Sequence, residues 1–279
     1  KHGNTSELAF TSSFLPASLV HMLQTNTANL GDKIPEVPCG MECEAVCMMA
    51  DISGYTALSR NLCMLGSDGV DLLSEELNDF FDTLVGIVHR YGGDIYKFAG
   101  DAIICLWGCH SYKEEKPTIL QMLLQSIQCC FELVGINHKL DKVNKAAINS
   151  EIEINMEHIQ LPESLGLHCG IGVGKIELAA IGSPPEFLMN GTPLSQVERA
   201  LTSSVRGELA MSTEAWGIIK AGGIDEASLD WVGVDVDEGV KRLELKESSG
   251  TRMSTFTHTW QGGSSDDDFS ATSDNLIDE

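Results

Sequence analysis

Positive charge is scarce in this sequence. Against 41 Asp and Glu stand only 18 Lys and Arg, for a formal net charge of -23. Such a surface repels nucleic-acid phosphates and anionic lipid headgroups, so nucleic-acid binding is not expected. Long apolar runs are also lacking. The longest pieces, such as AVCMMA and AIICLW, fall far short of the roughly 20 residues that a membrane helix needs, and no membrane span is expected. No secretory signal is visible at the start, and an opening Lys1 in place of Met marks the chain as an expected fragment. The nine cysteines include no Cys-x-x-Cys pair. Cys39, Cys43 and Cys47 recur every four residues without the spacing of a structural zinc site. An odd number of cysteines, mostly inside apolar stretches, reads as reduced, buried thiols of an intracellular, cytoplasmic protein. The eight His show no metal-ligand spacing, and no internal repeat is present.

What remains is ordinary for a globular domain: 43% hydrophobic, 6% aromatic and 21% charged residues exclude a wholly disordered or fibrous chain. Residues 1–40 mix Ser, Thr, Asn and Pro around one apolar patch, Phe14 to Leu23, and read as a lead-in with a short helix. Residues 41–248 read as one domain. Residues 249–279 read as an acidic, disordered linker or tail, because Asp266, Asp267, Asp268, Asp274, Asp278 and Glu279 lie in a Ser- and Gly-rich background without Lys or Arg from Gly262 on.

Inside the domain the periodicities are legible. Glu44 to Ala50 is an apolar run of strand length ending at Asp51-Ile52-Ser53-Gly54. Val70, Leu73, Leu77, Phe80, Phe81, Leu84, Ile87 and Val88 recur at three and four, which predicts a helix from about Gly69 to Arg90, stopped by Gly92 and Gly93. Asp94–Ala99 and Ala102–Trp107 read as strands of a hairpin turned by Gly100-Asp101. Ile119 to Val134 is a second helix, and Leu165 to Val173 returns to strand character after an apparent insertion, residues 138–164. Strand, helix, hairpin, helix, strand is an α+β order. It predicts a ferredoxin-like split βαβ fold, an antiparallel sheet with both helices on one face. A helix over Gly191–Val205, a strand over Glu208–Ser212, a helix over Thr213–Lys220 and a final strand pair complete the domain.

Two carboxylates stand out by position. Asp51 closes the first strand and Asp101 sits in the hairpin turn, and the first and third strands are neighbours in such a sheet. Convergent carboxylates with an open face suit Mg²⁺, which takes one or two protein carboxylates and completes its shell with water and phosphate oxygens. Taken singly, either residue could serve only as a turn or cap.

The stretches MMADISGYT, GGDIYKFAGDAIICLW and LHCGIGVGKI followed by NGTPLSQVERA resemble, in order and spacing, the catalytic domain of class III nucleotidyl cyclases. The resemblance is nearest to the first catalytic domain of bicarbonate-responsive soluble adenylyl cyclases, and it covers roughly residues 44–246. It implies conversion of ATP to cyclic AMP and pyrophosphate with two Mg²⁺ ions, for which Mn²⁺ can substitute. Asp51, Asp101 and the backbone carbonyl of Ile52 would hold the ions. Ser53, Gly54, Tyr55 and Thr56 would meet the triphosphate at a helix start. Lys97 would contact adenine, and Arg199, eight residues after Gly191, would stabilise the transferred phosphate. Ser195 stands where the family's active half carries a ribose-positioning Asn, Leu188 stands where it reads adenine, and Glu198 stands where a soluble cyclase has the Arg that binds bicarbonate. Direct bicarbonate activation is therefore not expected. Because each site in the family lies between two such domains, the resemblance implies a second cyclase domain, in cis after the acidic linker or in trans as a dimer. The alternative expectation is a catalytically silent regulatory domain.

Milder motifs are absorbed differently. Gly170 to Lys175 lacks the GxxxxGK[ST] pattern and reads as a glycine-rich strand, not a phosphate loop. Gly92-Gly93-Asp94 precedes a strand and so lacks the hairpin context of a diguanylate cyclase turn. Asn190-Gly191-Thr192 is a sequon with no consequence inside a cell.

Overall fold

The computed structural model describes residues 15–27, 37–64, 66–110, 115–140, 143 and 164–246. All elements named below belong to one unit that ends at Leu245; of the second unit, Lys246–Glu279, only Lys246 is described. The expected tail, most of the insertion and much of the lead-in thus lie outside the described residues.

The order is α1 (Ala17–Thr27), β1 (Cys39–Ser53), α2 (Tyr55–Cys63), α3 (Ser67–Arg90), β2 (Asp94–Ala99), β3 (Ala102–Trp107), α4 (Ile119–Val134), β4 (His138–Lys139), β5 (Ser164–Ile181), β6 (Glu186–Gly191), α5 (Thr192–Thr202), β7 (Leu209–Ser212), α6 (Thr213–Ala221), β8 (Trp231–Asp237) and β9 (Val240–Leu245). The strands run β2-β3-β1-β5-β7-β9-β8 across one sheet, with β4 and β6 also paired to β5. Its first four positions are the split βαβ order. Pairing is antiparallel except between β5 and β7, which are parallel.

α3 and α4 cover one face of the sheet as expected, and the other face is covered as well. Val46, Met48, Ala50 and Ile52 of β1 pack with Leu58 and Leu62 of α2, Phe80 and Leu84 of α3, and Leu123 and Ile127 of α4. Ala45 and Cys47, pointing the other way, pack with Leu19 and Met22 of α1 and Val197 of α5. Double coverage is why the run AVCMMA shows no alternation. β1 extends past the expected Glu44–Ala50 because its first residues, alternately half-buried and exposed, still pair with β5 from Cys39 onward.

Particular side chains fix the helices. Asp94 of β2 accepts hydrogen bonds from the backbone N–H groups of Ala17 and Ser18, both at 2.8 Å, so its carboxylate holds the start of α1. Thr118 and Gln121 form a capping box at α4. α5 begins with Pro193 and buries Pro193, Gln196, Val197 and Ala200, one stripe at helical spacing, against β5. Glycine lets it come close: a Cβ on Gly170 would lie 2.8 Å from the Val197 carbonyl, and one on Gly172 would lie 2.5 Å from that of Pro193. Gly170 to Lys175 is thus the strand expected, its glycines spent on helix packing.

The reading of all nine cysteines as reduced is corrected. Cys43 of β1 and Cys109, just past β3, form a disulfide. The β1–β3 ladder, with Val46 opposite Trp107, carries the two residues to the same end of adjacent strands. That neighbourhood is a long-range pairing that spacing along the chain does not reveal. Cys47, Cys105, Cys129, Cys130 and Cys169 are buried free thiols as expected, whereas Cys63 is exposed.

Candidate active site

β1 and the β2–β3 hairpin converge at one end of the sheet. Asp51 is opposite Ala102 in the β1–β3 ladder, and the Ile52 N–H donates to the Asp101 carbonyl at 3.2 Å, which anchors the hairpin turn against the end of β1. Gly100 takes φ +69° in that turn, a conformation that L side chains rarely adopt. Beyond Ser53 the chain turns at Gly54, φ 96°, directly into α2, whose first turn carries Tyr55 and Thr56. Thr56 Oγ1 donates to Asp101 Oδ2 at 3.4 Å. Asp51, Ile52, Ser53, Gly54, Tyr55, Thr56 and Asp101 are therefore gathered at one sheet edge, as expected from the hairpin topology.

His168 joins this group and was missed in the sequence. It is opposite Asp51 in the β1–β5 ladder. Its Nδ1 lies 3.3 Å from Ser53 Oγ and its Nε2 lies 3.7 Å from Asp51 Oδ2, with only 16% of the side chain exposed. The one available signal was a single polar residue interrupting the apolar strand Leu165 to Val173.

Electrostatics mark Asp51. Burial raises its carboxyl above the ordinary carboxylate range, and the charge of Asp101 raises it further, while His168 and the Ile52 N–H work in the opposite sense. Two like charges brought near each other are what a divalent cation offsets. The donors are hard oxygens, the carboxylates of Asp51 and Asp101, and the Ile52 carbonyl is the next one along β1. Among the described residues no cluster of three or more His, Cys, Asp or Glu is arranged to hold a metal. Two carboxylates are the donor set that Mg²⁺ takes when it retains several waters, and they do not amount to a closed protein cage.

The remaining expected residues lie elsewhere. Lys97 is exposed on β2, next to an irregularity in its pairing with β3. Ser195 and Arg199 are exposed one turn apart on α5, where the Ser195 hydroxyl donates to the Thr192 carbonyl at 3.0 Å. A Cβ on Gly239 would lie 3.2 Å from an Arg199 guanidinium nitrogen, which places that side chain over the β8–β9 turn. Glu198 is exposed on the same helix and Leu188 is exposed on β6. The described residues thus form two groups, a carboxylate edge and an α5 surface. No helix of the described chain is long and apolar enough to cross a membrane.

No family model matches the chain. Mouse adenylate cyclase type 10 is 28% identical over 190 residues, 67% of this chain and 10% of that protein. The chain therefore spans about a tenth of the length of this curated relative. Among solved structures, a bacterial light-regulated adenylyl cyclase superposes with a TM-score of 0.52 at 16% identity, covering 89% of this chain and 62% of the other. The dimeric guanylyl cyclase domain of the RhoGC fusion protein from the aquatic fungus Blastocladiella emersonii gives a TM-score of 0.51 at 15% identity, covering 75% and 98%. At these identities the structural likeness concerns the fold.

Proposed function

On the premise that this chain carries a class III cyclase-homology domain of the adenylyl/guanylyl type, we propose that it converts ATP to cyclic AMP and pyrophosphate as one half of a cyclase domain pair. The observation that carries the reading is the convergence of Asp51 and Asp101 beside a helix start opened by Gly54. Asp51, Asp101 and the Ile52 carbonyl would hold Mg²⁺ or Mn²⁺. When bound, the metal supplies charge neutralisation for the phosphates and acidifies the attacking ribose hydroxyl. The chain's own residues do the positioning. The N–H groups that open α2, which no side chain caps, would meet the triphosphate, Gly54 would let the phosphates approach the backbone, and Thr56 braces Asp101. A polyanion is thereby accommodated on a surface of net charge -23.

The α5 surface with Ser195 and Arg199 serves the other half of the pair. Arg199, on the exposed side of α5, is free of the core and available to phosphate across a domain interface. A second cyclase domain, in cis after the acidic segment or in trans as a dimer, completes each site. Lys97 favours adenine, so ATP is the preferred nucleotide, and equal turnover of ATP and GTP would count against that assignment.

Two observations favour a second reading, a silent regulatory domain: the Ser195 hydroxyl is occupied by its own helix and Leu188 is exposed on β6. Assaying the chain with ATP and Mn²⁺, alone and mixed with its natural partner domain, separates the readings. Cyclic AMP formed in the mixture is expected; none in either sample supports the silent domain.

A further inference from the structure

Ser53, His168 and Asp51 form a chain across the β1–β5 ladder that the nucleotide chemistry above does not require. Ser53 and Asp51 are two apart on β1, so their side chains leave the same face, and His168 stands opposite Asp51 on the neighbouring strand. Its ring is held at both nitrogens' sides, 3.3 Å from the Ser53 oxygen and 3.7 Å from Asp51 Oδ2. The Ser53 hydroxyl beside one ring nitrogen fixes the orientation of the imidazole, and the other nitrogen faces the Asp51 carboxylate. Repulsion from Asp101 acts to turn the Asp51 carboxylate away, and His168 and the Ile52 N–H act against it.

We propose that His168 is the positioning residue of this site: it fixes the Asp51 carboxylate by engaging Oδ2, so that the other oxygen stays turned toward a divalent cation shared with Asp101. The inference deepens the reading of the carboxylate edge as a cation site and rests on it. His168 itself touches neither metal nor nucleotide in this role. It acts as the outer partner that orients a ligating carboxylate, a contribution that typically amounts to 10- to 100-fold in metal affinity.

The test uses the full 279-residue chain and Mn²⁺ alone, with binding read by electron paramagnetic resonance of the free ion. The parent is expected to bind Mn²⁺ and Asp51→Asn to lose it. His168→Leu is expected to weaken binding about 10-fold or more, and His168→Asn, which keeps a donor, to recover part of the loss. Ser53→Ala should weaken binding in the same direction, and Ser53→Ala added to His168→Leu should weaken it no further, since both act through one chain. Circular dichroism and melting of each variant identify any that fails to fold, and for such a variant His168→Asn and Ser53→Ala carry the comparison. Mn²⁺ affinity in folded His168→Leu equal to that of the parent overturns the positioning role and leaves the cation site standing. A parent that binds no Mn²⁺ overturns both.

Discussion

The Ile52 N–H donates to the Asp101 carbonyl at 3.2 Å, and this bond ties the end of one strand to the turn of a hairpin 49 residues later. It is the closure that puts two carboxylates on one edge. β1 contributes Asp51 near its end, just before buried Ile52, and the hairpin contributes Asp101 beside Gly100 in its tight turn. Folding thus brings two negative charges together, a juxtaposition that a divalent cation would offset.

The sign of the Asp51 shift gives the first expectation. Asp51 titrates above its ordinary value of 3.8 in the folded chain, because of burial first and the Asp101 charge second. Between the ordinary and the raised value the folded state holds more protons than the unfolded one. Stability therefore falls as pH rises through that window and stays lower at neutral pH. Asp51→Asn in EDTA at pH 7 is expected to melt above the parent, and the gain should vanish well below pH 3.8. Added Mg²⁺ should raise the melting point of the parent and leave the variant unchanged. A variant that melts below the parent at pH 7 would show that the Asp51 charge is compensated in the absence of metal.

Cysteine chemistry gives the second. Non-reducing peptide mapping should recover Cys43 linked to Cys109, and native alkylation should label Cys63 ahead of the buried thiols. Burial pushes the Cys47 thiol up to about 12, so it stays protonated and unreactive at neutral pH. Because the link closes a loop with a sequence separation of 66 residues, Cys43→Ser is expected to lower stability by about 2–4 kcal/mol in denaturant titration. An unchanged midpoint would mean that the two thiols do not pair in solution.

Packing of α5 on β5 gives the third. Gly172→Val would set carbon atoms against the Pro193 carbonyl, 2.5 Å from the first of them. A loss of about 1–3 kcal/mol is expected from such overpacking, read as a lower urea midpoint at unchanged slope. No loss would mean that α5 is not seated as described.

Bicarbonate gives the fourth. The buried stripe Pro193, Gln196, Val197 and Ala200 fixes the rotation of α5 and leaves Glu198 outward. Bringing Arg199 to the angle of Glu198 would turn the helix by about 100° and expose that stripe. A carboxylate in place of a cation repels an anion, so cyclic AMP synthesis at constant pH is expected to be flat with added bicarbonate. A dose-dependent rise that Lys97→Ala removes would contradict this.

Much of this was legible in the sequence because local rules and global fold agree in the core. α4 and the β2–β3 hairpin fall on the residues expected, since a capping box, helical periodicity and a Gly-containing turn mark their ends. α2 was not legible. It buries only Leu58 and Leu62 and opens at a glycine in place of a side-chain cap. β6 was not legible either, since its residues are half-buried or exposed and its pairing partner is the far end of β5. Cover on the second face, from α1 and α5, was hidden because a run buried on both sides carries no period that says what covers it. His168 and the Cys43–Cys109 link share one cause. Both depend on which residues stand opposite across a ladder, and a one-residue change of register would undo either.

The central claim is that Asp51 and Asp101 form the cation site of a nucleotide-cyclising domain. Its most direct test is cyclic AMP formation from ATP and Mn²⁺ by the intact protein carrying Asp51→Ala or Asp101→Ala, with folding of each checked by circular dichroism. Activity in the parent and its loss in both folded variants, by 10³-fold or more on the order expected when metal catalysis is removed, is the predicted result. Cyclic AMP produced by either variant at a rate near that of the parent would contradict it.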